Sequence, residues 1–340
     1  MATNLQLDKV RWGVLGVARI ATNKVIPAMQ KGAWTRIDAI ASRDGARAAQ
    51  AAATLGIPKA YASYEEILAD RDIEAVYIPL PNHLHVPWAI RAAEAGKHVL
   101  CEKPIALTAR EAQQLLEVRD RTGVLVEEAF MVRTHPQWLR ARAIVRSGRI
   151  GPLRTMTGAF SYFNDDPSNV RNVRAYGGGA LLDIGCYLVN TARMMFEQEP
   201  RRVCALIDRD PVFGVDRLTS LLLEFPGGQA IGTCGTQLAA GQAVSLTGTL
   251  GRVDIAIPFN APPDRPSRVC VEHRAPDGGP AREVIDIEVC DQYTIQGDLF
   301  SEAVRRGTPA PYPLEDSMAN LKVIDALFQS AETSGWARVG

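Results

Sequence analysis

Two stretches of the chain carry side chains whose types and spacing could handle a proton beside a hydroxyl. The first is Cys101-Glu102-Lys103-Pro104, which closes an apolar run. Partial burial of a lysine disfavours its charged form, so it can act as an acid, a base or a polarising donor. Pro104 restricts the turn, in a trans or cis peptide bond, and so aims the lysine. A Glu-Lys-Pro turn also reads as an ordinary solvated loop. The second stretch runs from Gly177-Gly178-Gly179 to Asn190. The glycines permit a sharp entry, and on a following helix Asp183, Tyr187 and Asn190 fall at i, i+4 and i+7 on one face. A carboxylate and a phenol so spaced can share a hydroxyl-bearing substrate. The same pattern fits a core helix, with Leu181, Leu182, Ile184 and Leu188 packing around a satisfied tyrosine.

A third stretch could hold a phosphate. Gly16-Val17-Ala18-Arg19-Ile20-Ala21 fills a G-x-G-x-x-G/A frame, with Ala at the second and third glycine positions. Small residues there let amides at a helix N-terminus approach a pyrophosphate. The hexapeptide could be only a tight turn, but it follows the first apolar run and opens the first helical pattern, as dinucleotide binding demands. About 20 residues further on, the second apolar run ends at Ala41-Ser42-Arg43. An acid there would clasp the ribose 2′-hydroxyl of NAD. Ser42 and Arg43 would instead attract a 2′-phosphate, which favours NADP. Arg43 also reads as a surface arginine, and Asp44 could reach a ribose. His83 and His85 lack a carboxylate or thiolate at ligand spacing, so no metal site is expected. His98, His135 and His273 read as structural or solvated.

The elements that must position these residues alternate in the first third. Apolar runs at residues 10–17, 37–41, 73–80, 98–101 and 124–130 read as buried strands. Helical patterns at 20–29, 46–55, 86–95 and 109–121 lie between them, two closed by Gly96 and Gly123. Repeated β-α units of this kind give a doubly wound parallel sheet, a Rossmann domain. After about residue 150, strands follow one another at 155–163, 202–207, 219–225, 229–236, 243–248 and 284–289. Pro226-Gly227-Gly228 and Pro276-Asp277-Gly278-Gly279 mark turns, and a helix runs from near Glu315 to Glu332. This is an α+β domain with an open, mainly antiparallel sheet. The expected division is 1–124 for the dinucleotide-binding domain and 125–340 for substrate binding and oligomerisation.

The 340 residues are enough for two such domains. With 38 Lys plus Arg against 38 Asp plus Glu, the formal net charge is zero, so no broad basic field points to nucleic acid. The 46% hydrophobic and 22% charged fractions are those of a globular protein. The apolar runs are too short to span a membrane, and Met1 to Lys9 lacks secretory-signal character. Six scattered cysteines without a C-x-x-C pair read as free, buried thiols. A cytoplasmic protein is expected.

In order along the chain, five segments resemble the glucose–fructose oxidoreductase / inositol dehydrogenase / MocA (Gfo/Idh/MocA) family. They are Trp12-Gly13-Val14-Leu15-Gly16, Pro81-Asn82-His83-Leu84-His85, Glu102-Lys103-Pro104, Glu128-Ala129-Phe130-Met131 and Gly177 to Tyr187. Asp291-Gln292-Tyr293 and Pro313-Leu314-Glu315-Asp316-Ser317 are family-like too. The resemblance implies a nicotinamide cofactor in the Rossmann domain and substrate against the open sheet. It places Leu80, Asn82 and His85 at the nicotinamide end, Glu102 on the nicotinamide ribose or carboxamide, and Lys103 near the reacting carbon. Asp183 and Tyr187 match the family's D-x-G-x-[HY] positions, with Asp183 orienting the substrate or the lysine. Tyrosine, where many relatives have histidine, resembles the branch of glucose–fructose oxidoreductase, NADP-dependent aldose dehydrogenases and dihydrodiol dehydrogenase. Some nucleotide-sugar ketoreductases share it. Asn169-Val170-Arg171 matches a branch pattern in which Arg171 binds a substrate hydroxyl, although it also reads as a surface arginine.

The implied chemistry is hydride transfer between nicotinamide and a sugar carbinol or carbonyl carbon, foremost C1 of a cyclic aldose, either from aldose to lactone or as a coupled aldose oxidoreduction. Tyr187 would take or give the hydroxyl proton, with Lys103 lowering its pKa through charge and hydrogen bonding. The alternatives are reduction of a nucleotide-linked keto-sugar by NADPH and a non-catalytic NADP-sensing regulator. A regulator would be expected to lose the lysine or the Tyr/His position. A homodimer or homotetramer through the open sheet is implied, with a carbohydrate as the small-molecule partner.

Overall fold

The computed structural model describes residues 8–274 and 279–340. The stretch before Asp8 and most of the turn expected at Pro276 to Gly279 lie outside the described residues. The first sheet contains β1 (Val10–Leu15), β2 (Thr35–Ala41), β3 (Lys59–Tyr61), β4 (Ala75–Ile78), β5 (His98–Glu102) and β6 (Val126–Ala129). Its order is β3-β2-β1-β4-β5-β6 and every pairing is parallel. The strand order reverses beside β1, where doubly wound sheets bind ligands at the carboxyl ends. β4 and β6 are buried along their whole length; β4 reads as a continuous apolar run for that reason, while β6 buries Glu127 and Glu128 at its centre.

The crossovers are α1 (Ile26–Met29), α2 (Gly45–Leu55), α3 (Tyr64–Ala69), α4 (His85–Glu94) and α5 (Ala109–Thr122). A π turn, Ala21–Val25, leads into α1, so the first helix is not uniformly α. α2 begins at Asp44, whose carboxylate accepts from Ala46 N and Arg47 N, and ends at left-handed Gly56. β3 and α3 have no counterpart among the expected elements. One is a three-residue edge strand and the other a six-residue helix, too short for a periodic signal.

In the second unit, α6 (Pro136–Arg146) and α7 (Cys186–Phe196) accompany β7 (Leu153–Phe163), β8 (Arg202–Arg209) and β9 (Asp216–Phe225). Then follow β10 (Gly228–Gly235), β11 (Gln237–Gly248), β12 (Gly251–Ile255), β13 (Ser267–Arg274), β14 (Pro280–Ile287) and β15 (Ala337–Arg338). The sheet order is β14-β13-β12-β11-β7-β10-β9-β8-β15, antiparallel except for the β7–β10 pair. α7 lies on one face of this sheet. A Cβ at Gly158 or Gly232 would stand 2.7 or 2.9 Å from the Leu188 methyls, so glycine on β7 and β10 is what lets the helix approach.

The last helices are α8 (Gln292–Arg306) and α9 (Leu314–Thr333). α8 returns to the first unit. There Trp12 Nε1 donates to Ser301 Oγ at 3.0 Å, and Asp298 accepts from Ala33 N and Trp34 N, both at 2.8 Å. The compact units are therefore discontinuous: residues up to Ala106, Arg110–Met131 and Asp291–Ser317 in the first, and Leu107–Ala109, Val132–Cys290 and Met318–Gly340 in the second. A seam between 124 and 125 falls just before β6, which pairs with β5 in the first sheet. All six cysteines are free, with Cys101, Cys186 and Cys234 buried and the other three half-buried.

Candidate active site

In the first unit the expected cofactor residues gather at the carboxyl edge of the parallel sheet. Gly16 follows β1 with φ +115°, and a Cβ there would meet Leu80 at 3.0 Å. Only glycine leaves that cradle open, which fits close approach of a dinucleotide backbone. Ala18 is half-buried, and its carbonyl accepts from Thr22 N as the helix starts. Arg19 points to solvent and Ile20 is half-buried. At the end of β2, Ser42 is buried and its hydroxyl accepts from Asp44 N, while Arg43 is exposed. Arg43 hydrogen-bonds Tyr64; burial pushes that phenol up and the guanidinium opposes the shift. Asp44, the alternative ribose-binding acid, caps α2 through Oδ1. Arg47, which sequence reasoning missed, donates from Nη2 to Val17 O at 3.0 Å and adds a second cation beside the fingerprint turn. Its signal was its place in the first turn of α2, three residues beyond Asp44, the N-cap residue that bonds Ser42.

The turns after β4 and β5 complete this edge. Leu80 is buried against Gly16, and Asn82 opens a short 3-10 turn, Asn82–Leu84. Glu102 and Lys103 are half-buried, and the Lys103–Pro104 peptide bond is cis. Tyr77 donates to Glu102 Oε1 at 2.6 Å, and burial, then the Glu102 charge, pushes its phenol well up. Tyr77 thus stays protonated and fixes Glu102. From β6, Glu128 Oε1 accepts from Ile105 N at 2.8 Å and holds the same turn. Neither residue was assigned a role from sequence, because a tyrosine inside an apolar strand reads as core. His85 requires a correction. It is fully buried, with Nδ1 2.7 Å from Pro104 O and Nε2 2.6 Å from Leu80 O, so it ties two turns together and does not line the nicotinamide end.

In the second unit the glycine run does what its composition suggests. Gly179 has φ +117°, its N donates to Arg171 O at 2.9 Å, and its Cα packs against Asp216. The helix does not begin as a regular α-helix: Leu181–Gly185 is a π turn that continues into α7. The even i, i+4, i+7 spacing is therefore not kept from Asp183 onward. Asp183 Oδ2 accepts from Tyr162 Oη at 2.5 Å and from Arg171 Nε at 3.0 Å, so Asp183 and Arg171 are brought together. Burial, then Asp183, pushes the Tyr162 phenol up, with Arg171 opposing, and it remains a donor. Tyr187 is buried among Phe160 and Phe259, with ring centroids at 5.8 and 5.5 Å. Asp216 accepts from Leu181 N at 2.6 Å and from Thr219 Oγ1, anchoring the start of the π turn. Tyr162 lies inside a run read only as a strand, and Asp216 lies three residues before the run at 219–225, which is why neither stood out. Each unit therefore offers a polar constellation of its own. Among the described residues no group of three or more His, Cys, Asp or Glu is placed to hold a metal ion.

Comparison with known proteins decides the family. The model of an oxidoreductase family with an NAD-binding Rossmann fold matches residues 10–130, and that of the GFO/IDH/MocA C-terminal domain matches 138–254. The chain belongs to the Gfo/Idh/MocA oxidoreductase family. An uncharacterized oxidoreductase of Rhizobium meliloti is 50% identical over 98% of this chain and 100% of its own length. A D-xylose 1-dehydrogenase (NADP(+)) of Haloferax volcanii is 38% identical, covering 95% of this chain and 97% of its own. Among solved structures of the family, a 3-ketoreductase from Actinomadura kijaniata in complex with NADP and TDP-benzene superposes with a TM-score of 0.89. It is 30% identical over 95% of this chain and 98% of its own.

Proposed function

We propose that this family member is an NADP-dependent oxidoreductase that oxidises the C1 carbinol of a cyclic aldose to a lactone. The observation that carries the reading is the Asp183 cluster. A carboxylate held by Tyr162 and Arg171, within one helical segment of the Tyr187 phenol, is suited to grip and orient a polyol beside a group that can handle its proton. The substrate class is supported by the xylose dehydrogenase, the more similar of the two relatives whose reaction is named.

NADP is the cofactor. The named relatives use or hold it. The open cradle at Gly16 fits a dinucleotide backbone, and Arg43 and Arg47 offer cations where an acid would repel a 2′-phosphate. Ala18, Arg19 and Ile20 would present the helix start to the pyrophosphate, and Ser42 and Arg43 would face the 2′-phosphate. Leu80, Asn82 and Glu102 would border the nicotinamide. When bound, NADP supplies the hydride acceptor or donor. Of this chain's own residues, Tyr187 takes or returns the hydroxyl proton and Lys103 supplies the positive charge that favours the oxyanion. Asp183 and Arg171 orient neighbouring hydroxyls, and Tyr162 orients Asp183.

Reduction of a nucleotide-linked keto-sugar is the second reading, supported by the Actinomadura kijaniata enzyme. One experiment separates the two. Purified protein is offered NADP⁺ with a panel of aldoses, and NADPH with a dTDP-keto-sugar. The aldose reading expects NADPH to form in the first arm. Turnover in the second arm alone would replace it with the ketoreductase. We further propose self-association through the uncovered face of the nine-stranded sheet. Pairing register puts Leu206, Ile231 and Phe163 on that one face, 77%, 46% and 64% exposed.

A further inference from the structure

His85 opens α4 and has no exposed surface. Its two ring nitrogens face two carbonyl oxygens, Pro104 O at 2.7 Å and Leu80 O at 2.6 Å. A carbonyl only accepts, and a neutral imidazole has one N–H and one bare lone pair. Whichever tautomer forms, a neutral ring points a lone pair at an oxygen within hydrogen-bond distance. The imidazolium alone donates to both, and both contacts have the short length of charge-assisted bonds. We propose that His85 is doubly protonated in the folded protein. As a positioning residue it clamps the turn after β4 to the turn after β5.

Opposing effects act on the ring. Burial, the largest, acts with Lys103 and His83 to lower its pKa, the bonds to Pro104 O and Leu80 O raise it, and the balance of all of them lies at about 4. A neutral ring would have to give up one of the two contacts, and both are made. The clamp acts on the segments that matter. Leu80 packs on Gly16, two residues before Asn82, and Pro104 follows Lys103 directly. Glu128 of β6 braces the second turn from the other side through Ile105 N. Losing the ring proton therefore frees one carbonyl and loosens one turn against the other. For the consequence at the cofactor, the inference rests on the proposal that this edge borders the nicotinamide.

The chain has only five histidines, so ring-nitrogen NMR of protein labelled in histidine gives a sparse spectrum. The His85 signal is assigned as the one missing in His85→Gln. Should that variant not fold, single replacements of His83, His98, His135 and His273 assign it by elimination. The expected result at neutral pH is two protonated-type nitrogens on His85. Raising the pH until one becomes a bare nitrogen should raise the Kd for NADP severalfold over the same interval, a step absent from His85→Gln or, failing that, from His85→Asn. A bare ring nitrogen at neutral pH, or a Kd indifferent to the ring titration, overturns the clamp. A doubly protonated His85 in a protein that binds no NADP at any pH upholds the clamp and contradicts the functional reading instead.

Discussion

At the scale of single residues, two cations stand where the 2′-phosphate is proposed to bind. Arg43 is exposed at the end of β2, and Arg47 reaches back to Val17 O from the first turn of α2. A charge-assisted hydrogen bond to a phosphate contributes about 1.5–3 kcal/mol. Arg43→Ala is accordingly expected to weaken NADP binding by about 10- to 100-fold while NAD binding changes little. Titrating the variant with both cofactors measures this, and equal losses for the two would remove Arg43 from phosphate recognition. Asp44, the acid nearest in sequence, has Oδ1 engaged by two amides of α2.

At the scale of elements, the segment that carries Asp183 and Tyr187 depends on a buried carboxylate beneath it. Asp216 takes the first amide of the π turn, and a Cβ on Gly179 would collide with it. Burial pushes the Asp216 carboxyl up to about 6 from an ordinary 3.8, against the opposing pull of Leu181 N, Thr219 and Arg209. A carboxyl raised on folding contributes its stability below the ordinary value and loses it as the pH rises through the folded value. Ionisation between about pH 4 and pH 6 should cost the native state about 3 kcal/mol. Asp216→Asn keeps an acceptor for Leu181 N and carries no charge. Its stability relative to the parent, from denaturant unfolding at several pH values, should rise by about that amount across the interval. A constant difference from pH 4 to 7 would show that Asp216 does not titrate there.

Element by element, the legible part of the chain was the part that relies on long apolar periodicity. β1, β2, β4 and β5 were readable because buried parallel strands form apolar runs, and α1, α2, α4 and α5 because their apolar residues recur at helical spacing, whereas α3 is too short for that. The Gly16, Lys103 and Asp183 stretches were readable from residue type and place. Hidden from such reading were features set by contacts distant in sequence. Glu128 reaches Ile105, Tyr162 reaches Asp183, and His85 turns inward to two carbonyls, although its motif suggested a ligand contact. The π turn at 181–185 was likewise invisible, since its composition is that of an ordinary helix.

For the whole molecule, length suggested two consecutive domains, but Asp291–Ser317 returns to the first unit, where Ser301 satisfies the buried Trp12 indole. No local pattern could announce a pairing across 289 positions. The uncovered sheet face bears on assembly. If copies associate there, a charge at its centre should be excluded from the interface. Leu206→Arg with Ile231→Glu is expected to shift the mass in light scattering toward the 37.0 kDa of one chain. An unchanged mass above that value would place the interface elsewhere.

Proton transfer by Tyr187 is the centre of the account, and replacing it with phenylalanine tests this most directly. The substitution removes one oxygen and leaves the ring among Phe160 and Phe259. Steady-state turnover of the aldose that the panel identifies, with NADP affinity measured alongside, gives both readings on one preparation. For Tyr187→Phe the expected result is a loss of kcat of about 10²- to 10⁴-fold with the Kd for NADP little changed. Turnover equal to that of the parent enzyme would contradict it.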